Sequence, residues 1–294
     1  MKLDFITVVY REEIGLLRIQ AQSFNQYLSH NDVGEILIVI NDAQHIKELI
    51  DPNWWGQLSD RVKVIHHSAL GLVINPHIQG WYTQQICKLL ATKRCESAWS
   101  MVFDAKTWLV RALDPREIFD HVGRPVVGHC PISTYWKDSK IYLEQMYGIT
   151  MNTMLGPGGV PFMLHTETTN ALVDSIDDFP EWFQSLVPGP GNDKMFITEF
   201  MLYSAYVFNK YGVNNRLYSD LPPIWHPNNM ASWEVDKFKK FFDRGALPSC
   251  LTVSIHKDCY RKLSAGEIAT WLDFLERKHI IQHDQRGYVN LYRK

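Results

Sequence analysis

The sequence predicts an α/β protein: a mixed, mostly parallel sheet flanked by helices, with a helical C-terminal extension. Two observations carry this. Apolar, β-branched runs recur at "LDFITVVY" (3–10), "EILIVI" (35–40) and "WSMVF" (99–103), with the more alternating "RVKVIHH" (61–67) among them. Runs of this kind suit strands covered on both faces. Between them stand segments with apolar residues three and four apart: Ile14, Leu17, Ala21, Phe24 and Leu28, then Tyr82, Ile86, Leu89 and Leu90. Strand and helix in alternation mark a doubly wound layer, in which ligands bind outside the carboxyl ends of the strands.

The later elements follow in order. "LDPREIFDHV" reads as a helix with Asp114 as cap and Pro115 at its first position. "PVVGHC" (125–130) is a candidate strand, and "GPGGVPFML" (156–164) and "VPGPGND" (187–193) concentrate the glycine and proline of loops. "KMFITEFMLYSAYVFNKYG" (194–212) reads as a long helix ending at Gly212. "LTVSI" before His256 is strand-like, and Ser264 with Glu267 has the spacing of a capping box. The chain divides into a catalytic domain over 1–230, with halves at 1–115 and 116–230, and a basic extension over 231–294 packed on it. That extension holds twelve Lys/Arg against eight Asp/Glu, whereas the net charge of the whole chain is −2. The surplus fits a solvated face or an anionic acceptor.

Composition narrows the class. Hydrophobic residues make up 46% and charged residues 21%, which excludes a disordered chain. The N-terminal apolar run is short and interrupted by Asp4, so no signal segment is expected, and no stretch is long enough to span a bilayer. Five cysteines without a C-x-x-C pair read as reduced thiols, and the cytoplasm is the expected location. A P-loop, a G-x-G-x-x-G fingerprint and a G-x-S-x-G elbow are all missing.

Chemistry gathers at the strand ends: Tyr10–Arg11, Asn41–Asp42, His66–His67 and Asp104 each follow an apolar run. Asp104 opens "DAK". An acid here, with a second acid two places on, would hold a divalent cation under a diphosphate, but Lys106 occupies the second place. Protonated lysine cannot ligate a cation; it can supply positive charge directly. A cation at Asp104, lysine in place of the cation, and Asp104 as a mere turn cap all remain open.

The order of "ITVVYRE", "IVINDA", "GWYTQQICKLLA" and "VFDAKTWLV", followed by "GVPFMLHTETTNAL" and "FITEFMLYSAY", resembles the GT-A-type glycosyltransferases that use nucleotide-diphosphate sugars, in a little-characterised bacterial and phage branch. The resemblance spans roughly residues 3 to 260. It implies a GT-A-like (Rossmann-like) fold, a UDP- or GDP-linked sugar as donor, and a hydroxyl acceptor on a glycan or glycolipid, with a modified nucleic-acid base as the alternative. It places Asp42 and Arg11 at the nucleoside, and Asp104 in the slot of the D-x-D motif with Mn2+ or Mg2+. A late histidine is implied as second metal ligand: His256 first and His226 next, with His165 also available. Gln84 and Lys88, four apart on one helix face, could reach sugar or phosphate. Inverting transfer needs a base for the acceptor hydroxyl, and Glu199 and Asp193 are the candidates. The other class of answer is a non-catalytic binding module that keeps the fold, for which Lys106 is the evidence.

Overall fold

The computed structural model describes residues 2–157, 159–186, 197–213, 216–221, 223, 226–230, 236, 240 and 250–287, with residues 226–230 described by their backbone. Among these, ten strands and nine helices form. The strands are β1 (Leu3–Val9), β2 (Val33–Ile40), β3 (Val62–His66), β4 (Trp99–Asp104), β5 (Thr107–Leu109), β6 (His129–Pro131), β7 (Thr153–Leu155), β8 (Phe162–His165), β9 (His226–Met230) and β10 (Cys250–Ile255). The helices are α1 (Ile14–Tyr27), α2 (Gly80–Ala91), α3 (Pro115–Ile118), α4 (Lys137–Tyr147), α5 (Thr166–Asp174), α6 (Phe179–Leu186), α7 (Glu199–Tyr211), α8 (Lys257–Lys262) and α9 (Ala265–Arg277).

The main sheet has the order β3-β2-β1-β4-β8. Its first four strands are parallel and β8 runs antiparallel to β4. Every residue of β1 is buried, as the unbroken apolar run requires of a central strand. Asp4 is the exception in chemistry. Its Oδ1 accepts from the Glu35 N–H at 2.8 Å and the Ser97 hydroxyl at 2.7 Å, and its Oδ2 accepts from the Glu96 and Ser97 N–H groups at 2.9 and 2.8 Å. One buried carboxylate thus ties the loop before β4 to the start of β2, at the end of the sheet away from the strands' carboxyl ends.

A second sheet, β5-β10-β9, stands beside the first. β10 pairs antiparallel with β5, Thr107 facing Ser254, and parallel with β9. Hydrogen bonding therefore crosses the division expected at residue 230. Beyond β10, α9 opens with the expected capping box, Ser264 and Glu267 each bonding the other's backbone N–H. It buries Trp271 against Trp108, ring centroids 5.8 Å apart. The buried apolar residues described between Cys250 and Ile281 join the same core.

Some expected elements are shorter. The helix expected after Asp114 is α3 alone, because Phe119 turns extended and bridges Pro125. The strand expected over 125–130 forms only as β6, since Gly128 takes a left-handed φ of 69° that breaks an extended run. In the helix expected over 194–212, Thr198 is an extended N-cap whose hydroxyl accepts from the Met201 N–H, so α7 starts at Glu199; residues 187–196 lie outside the described ones. All five cysteines are free thiols.

Candidate active site

The carboxyl ends of β1, β2 and β4 and the start of α2 open onto a cleft of about 540 Å³, lined by Tyr10, Glu12, Glu13, Asn41, Asp42, Gly80, Trp81, Gln84, Lys106, His256 and Lys257. The strand-end rule is met: β1 delivers Tyr10, β2 delivers Asn41 and Asp42, and the turn after β4 delivers Lys106.

That turn is fixed from beneath by a residue the sequence reading passed over. Gln20 of α1 is fully buried, and its Nε2 donates to the carbonyls of Asp104 at 2.8 Å and Thr107 at 2.9 Å. The Thr7 hydroxyl donates to its Oε1 at 2.8 Å, and the Trp108 indole N–H donates to the Ala105 carbonyl at 3.2 Å. Gln20 sits on the inward face of an amphipathic helix, where a glutamine gives no periodic signal. Beyond the turn, pairing of β5 with β10 carries the chain to His256 and Lys257 beside Lys106.

Asp104 faces two ammonium groups. Lys88 Nζ lies 2.8 Å from its Oδ1, and Lys106 Nζ lies 3.0 Å from its Oδ2. Lys88 also donates to Glu199 Oε1 at 2.9 Å, with its Nζ 5.4 Å from the centroid of the Phe200 ring. Burial would raise the Asp104 carboxyl, but Lys106 and Lys88 outweigh it and hold the group well below the usual carboxylate range. For Lys106, burial pulls the other way from Asp104 and Glu13, and the acids prevail, so the side chain stays charged. Lys88 behaves alike between Asp104 and Glu199.

The remaining candidates fall at different depths. Both Asp42 oxygens accept backbone N–H groups, Oδ2 from Arg11 at 2.9 Å and Oδ1 from Ala43 at 2.7 Å, which joins the ends of β1 and β2. The Arg11 side chain is exposed and does not line the cleft. Gln84 does line it, anchored by Nε2 to the Val8 carbonyl at 3.1 Å. Glu199 is 3% exposed, behind Lys88, with its N–H on Gln85 Oε1 at 3.1 Å. Asp193 and the side chain of His226 lie outside the described residues. His165 packs its ring against Trp99 and bonds Thr168 away from this cleft.

His256 caps α8, its Nδ1 accepting from the Asp258 N–H at 3.2 Å. Burial and Lys106 hold the ring below its ordinary value, so it is neutral near pH 7. Among the described residues, no three His, Cys, Asp or Glu side chains gather as a metal centre would need. With both Asp104 oxygens against lysines as well, the described side chains do not make up a cation site as they stand.

Two cleft groups that the motifs did not flag are acids of the first turn after β1. Glu12 is exposed, whereas Glu13 is 4% exposed and its Oε2 has no hydrogen-bond partner among the described residues. Burial pushes the Glu13 carboxyl up to about 7, against the opposing pull of Lys106. Tyr10 beside it is pushed up to about 12, by burial and then by Glu13 and Glu12.

Comparison with solved structures gives the fold a setting. The apo bifunctional glycosyltransferase WbbM is 9% identical at a TM-score of 0.50, over 99% of this chain and 51% of that one. This chain therefore spans about half the length of WbbM. The galactosyltransferase LgtC, in complex with donor and acceptor sugar analogues, is 12% identical at a TM-score of 0.45, over 97% of this chain and 100% of that one. Apo mouse xyloside xylosyltransferase 1 is 11% identical at 0.46, over 86% and 97%. The likeness to WbbM shows the fold, a GT-A-type α/β layer with a mainly parallel sheet flanked by helices. No curated protein matches the sequence. A family model described as a family of unknown function, DUF6492, matches residues 5–256, and the chain belongs to that family.

Proposed function

We propose that the protein transfers a sugar from a nucleotide-diphosphate donor to a hydroxyl acceptor, and that lysine charge takes the place of a divalent cation at the diphosphate. The carrying observation is the ion pair of Lys106 with Asp104 at the mouth of the cleft, in the slot of the D-x-D motif. The leaving diphosphate gains charge as the glycosidic bond breaks, and a fixed cation in a partly buried site stabilises that charge far better than water does. Lys106 and Lys257 supply it in this reading, with neutral His256 as a hydrogen-bonding neighbour. Asp104 holds Lys106 in place, and the Lys88–Glu199 pair holds Asp104. Asn41 and Asp42 receive the nucleoside of a UDP- or GDP-linked sugar, and Gln84 reaches the sugar side.

Glu199 in this proposal is a positioning residue, because a group 3% exposed behind Lys88 does not meet an acceptor. An inverting course would then draw its base from elsewhere, with Asp193 the remaining candidate from the sequence. The acceptor is the hydroxyl of a glycan or glycolipid, and a nucleic-acid base is the less favoured alternative. A second reading keeps Mn2+ or Mg2+ between Asp104 and His256, and the presence of His256 in the same cleft as Lys106 favours it.

Release of UDP or GDP from a panel of nucleotide sugars tests the proposal, with and without simple glycoside acceptors. Wild-type protein is expected to release one of the two. Lys106→Ala should lose about 100-fold or more, the scale of removing one stabilising donor from a leaving-group site. Full turnover in Lys106→Ala would remove lysine from the chemistry.

A further inference from the structure

Glu13 lines the cleft where β1 gives way to α1, yet it is nine-tenths buried and its Oε2 meets no donor among the described residues. An ionised carboxylate oxygen left in that state is costly. A carboxylic acid is less costly there and has a property its ion lacks: one O–H to donate. Diphosphate esters present only acceptor oxygens, so an acid can bond them and a carboxylate repels them.

The surrounding charges define how that choice is balanced. Lys106 and Lys257 line the cleft with Glu13, as do His256, Tyr10, Glu12 and Asp42, while Asp104 and Lys88 stand behind Lys106. Lys106 is already engaged by Asp104, so it does not neutralise Glu13 alone. Burial dominates and pushes the carboxyl up to about 7.

We propose that Glu13 determines what the cleft holds: as a carboxylic acid it donates its O–H to an oxygen of a diphosphate-linked donor, and as a carboxylate it excludes that donor. This rests on the diphosphate reading above. It adds that donor binding takes place only to the protonated form, so that one proton is linked to each donor bound.

The test is calorimetric titration with UDP-glucose and GDP-mannose from pH 6 to pH 9, for wild type, Glu13→Gln and Glu13→Leu. Thermal unfolding of each variant shows that it is folded. As diphosphate diesters, these ligands keep a constant phosphate charge in this window, and their uracil and guanine N–H groups begin to ionise only at its upper edge, alike for wild type and Glu13→Gln. Tyr10 and Lys106 are raised, and burial and Lys106 hold His256 down from its ordinary value, which leaves Glu13 as the group placed to respond above pH 7. Wild-type affinity should weaken about tenfold per pH unit above 7, as linkage to a single proton requires. Glu13→Gln, which donates through its amide at every pH, should bind as wild type does at pH 6 and show no such slope. Glu13→Leu should bind weakly throughout. Equal slopes in wild type and Glu13→Gln would overturn the role of Glu13 while leaving the diphosphate reading intact. Failure of the wild type to bind either ligand at any pH would overturn both.

Discussion

Asp104 carries one negative charge and meets two ammonium groups, while Lys88 carries one positive charge and meets two carboxylates. Each shares its charge with two partners, so removing any one leaves another buried and uncompensated. Lys88 is 5% exposed, where water cannot repay the loss. Breaking a buried pair by deleting one partner costs about 3–5 kcal/mol. Lys88→Met should therefore lower the unfolding free energy by about that amount in urea titration, and Glu199→Gln in the same background should recover part of it. A Lys88→Met protein as stable as wild type would show that the pair is spare. The sequence put Lys88 on a helix face with Gln84 and left its partner open. What it could not show is that Glu199, more than a hundred positions on, arrives at the same place, because that meeting depends on how α7 packs against α2.

Elements differ in how much of them could be read beforehand. β1, β2 and β4 were legible because a buried strand inside the sheet needs apolar, branched residues on both faces, and such runs stand out, whereas β3, at the sheet edge and only half-buried, was legible from its alternation. α9 was legible from Ser264 and Glu267, a local signal that tertiary structure did not override. The short strands β5 and β7 were not, since three residues contain no period, and of the strand expected over 125–130 only its last two residues join β6. Asp4 shows the limit most clearly: in sequence it only interrupts an apolar run, yet it accepts four hydrogen bonds, from the loop before β4 and from the start of β2. Gly34 belongs to the same arrangement, because a Cβ there would stand 2.1 Å from Asp4 Oδ1. Asp4→Ala leaves three backbone N–H groups and a hydroxyl without their acceptor, at about 1–3 kcal/mol for each donor that stays buried. A loss of at least about 3 kcal/mol in chemical denaturation is expected; a loss below 1 kcal/mol would mean that water replaces the carboxylate freely.

At the level of the entire chain, the candidate site draws on residues from one end to the other: Glu13 and Asp42 from the first strands, Lys106 from the turn after β4, and His256 and Lys257 from the far side of β10. That the first four strands run parallel was readable, and so was the place of the cleft, at their carboxyl ends. The joining of β10 to β5 was not, and it is this pairing that sets a late histidine and lysine beside Lys106. No helix among the described residues is long and apolar enough to cross a membrane. The decisive measurement is the binding of UDP- and GDP-linked sugars by calorimetry, in chelator and in manganese, to wild type, Lys106→Ala and His256→Ala. Lysine in place of the cation predicts binding in chelator that manganese does not improve and that Lys106→Ala abolishes. Binding that appears only with manganese, survives Lys106→Ala and is lost in His256→Ala would contradict it.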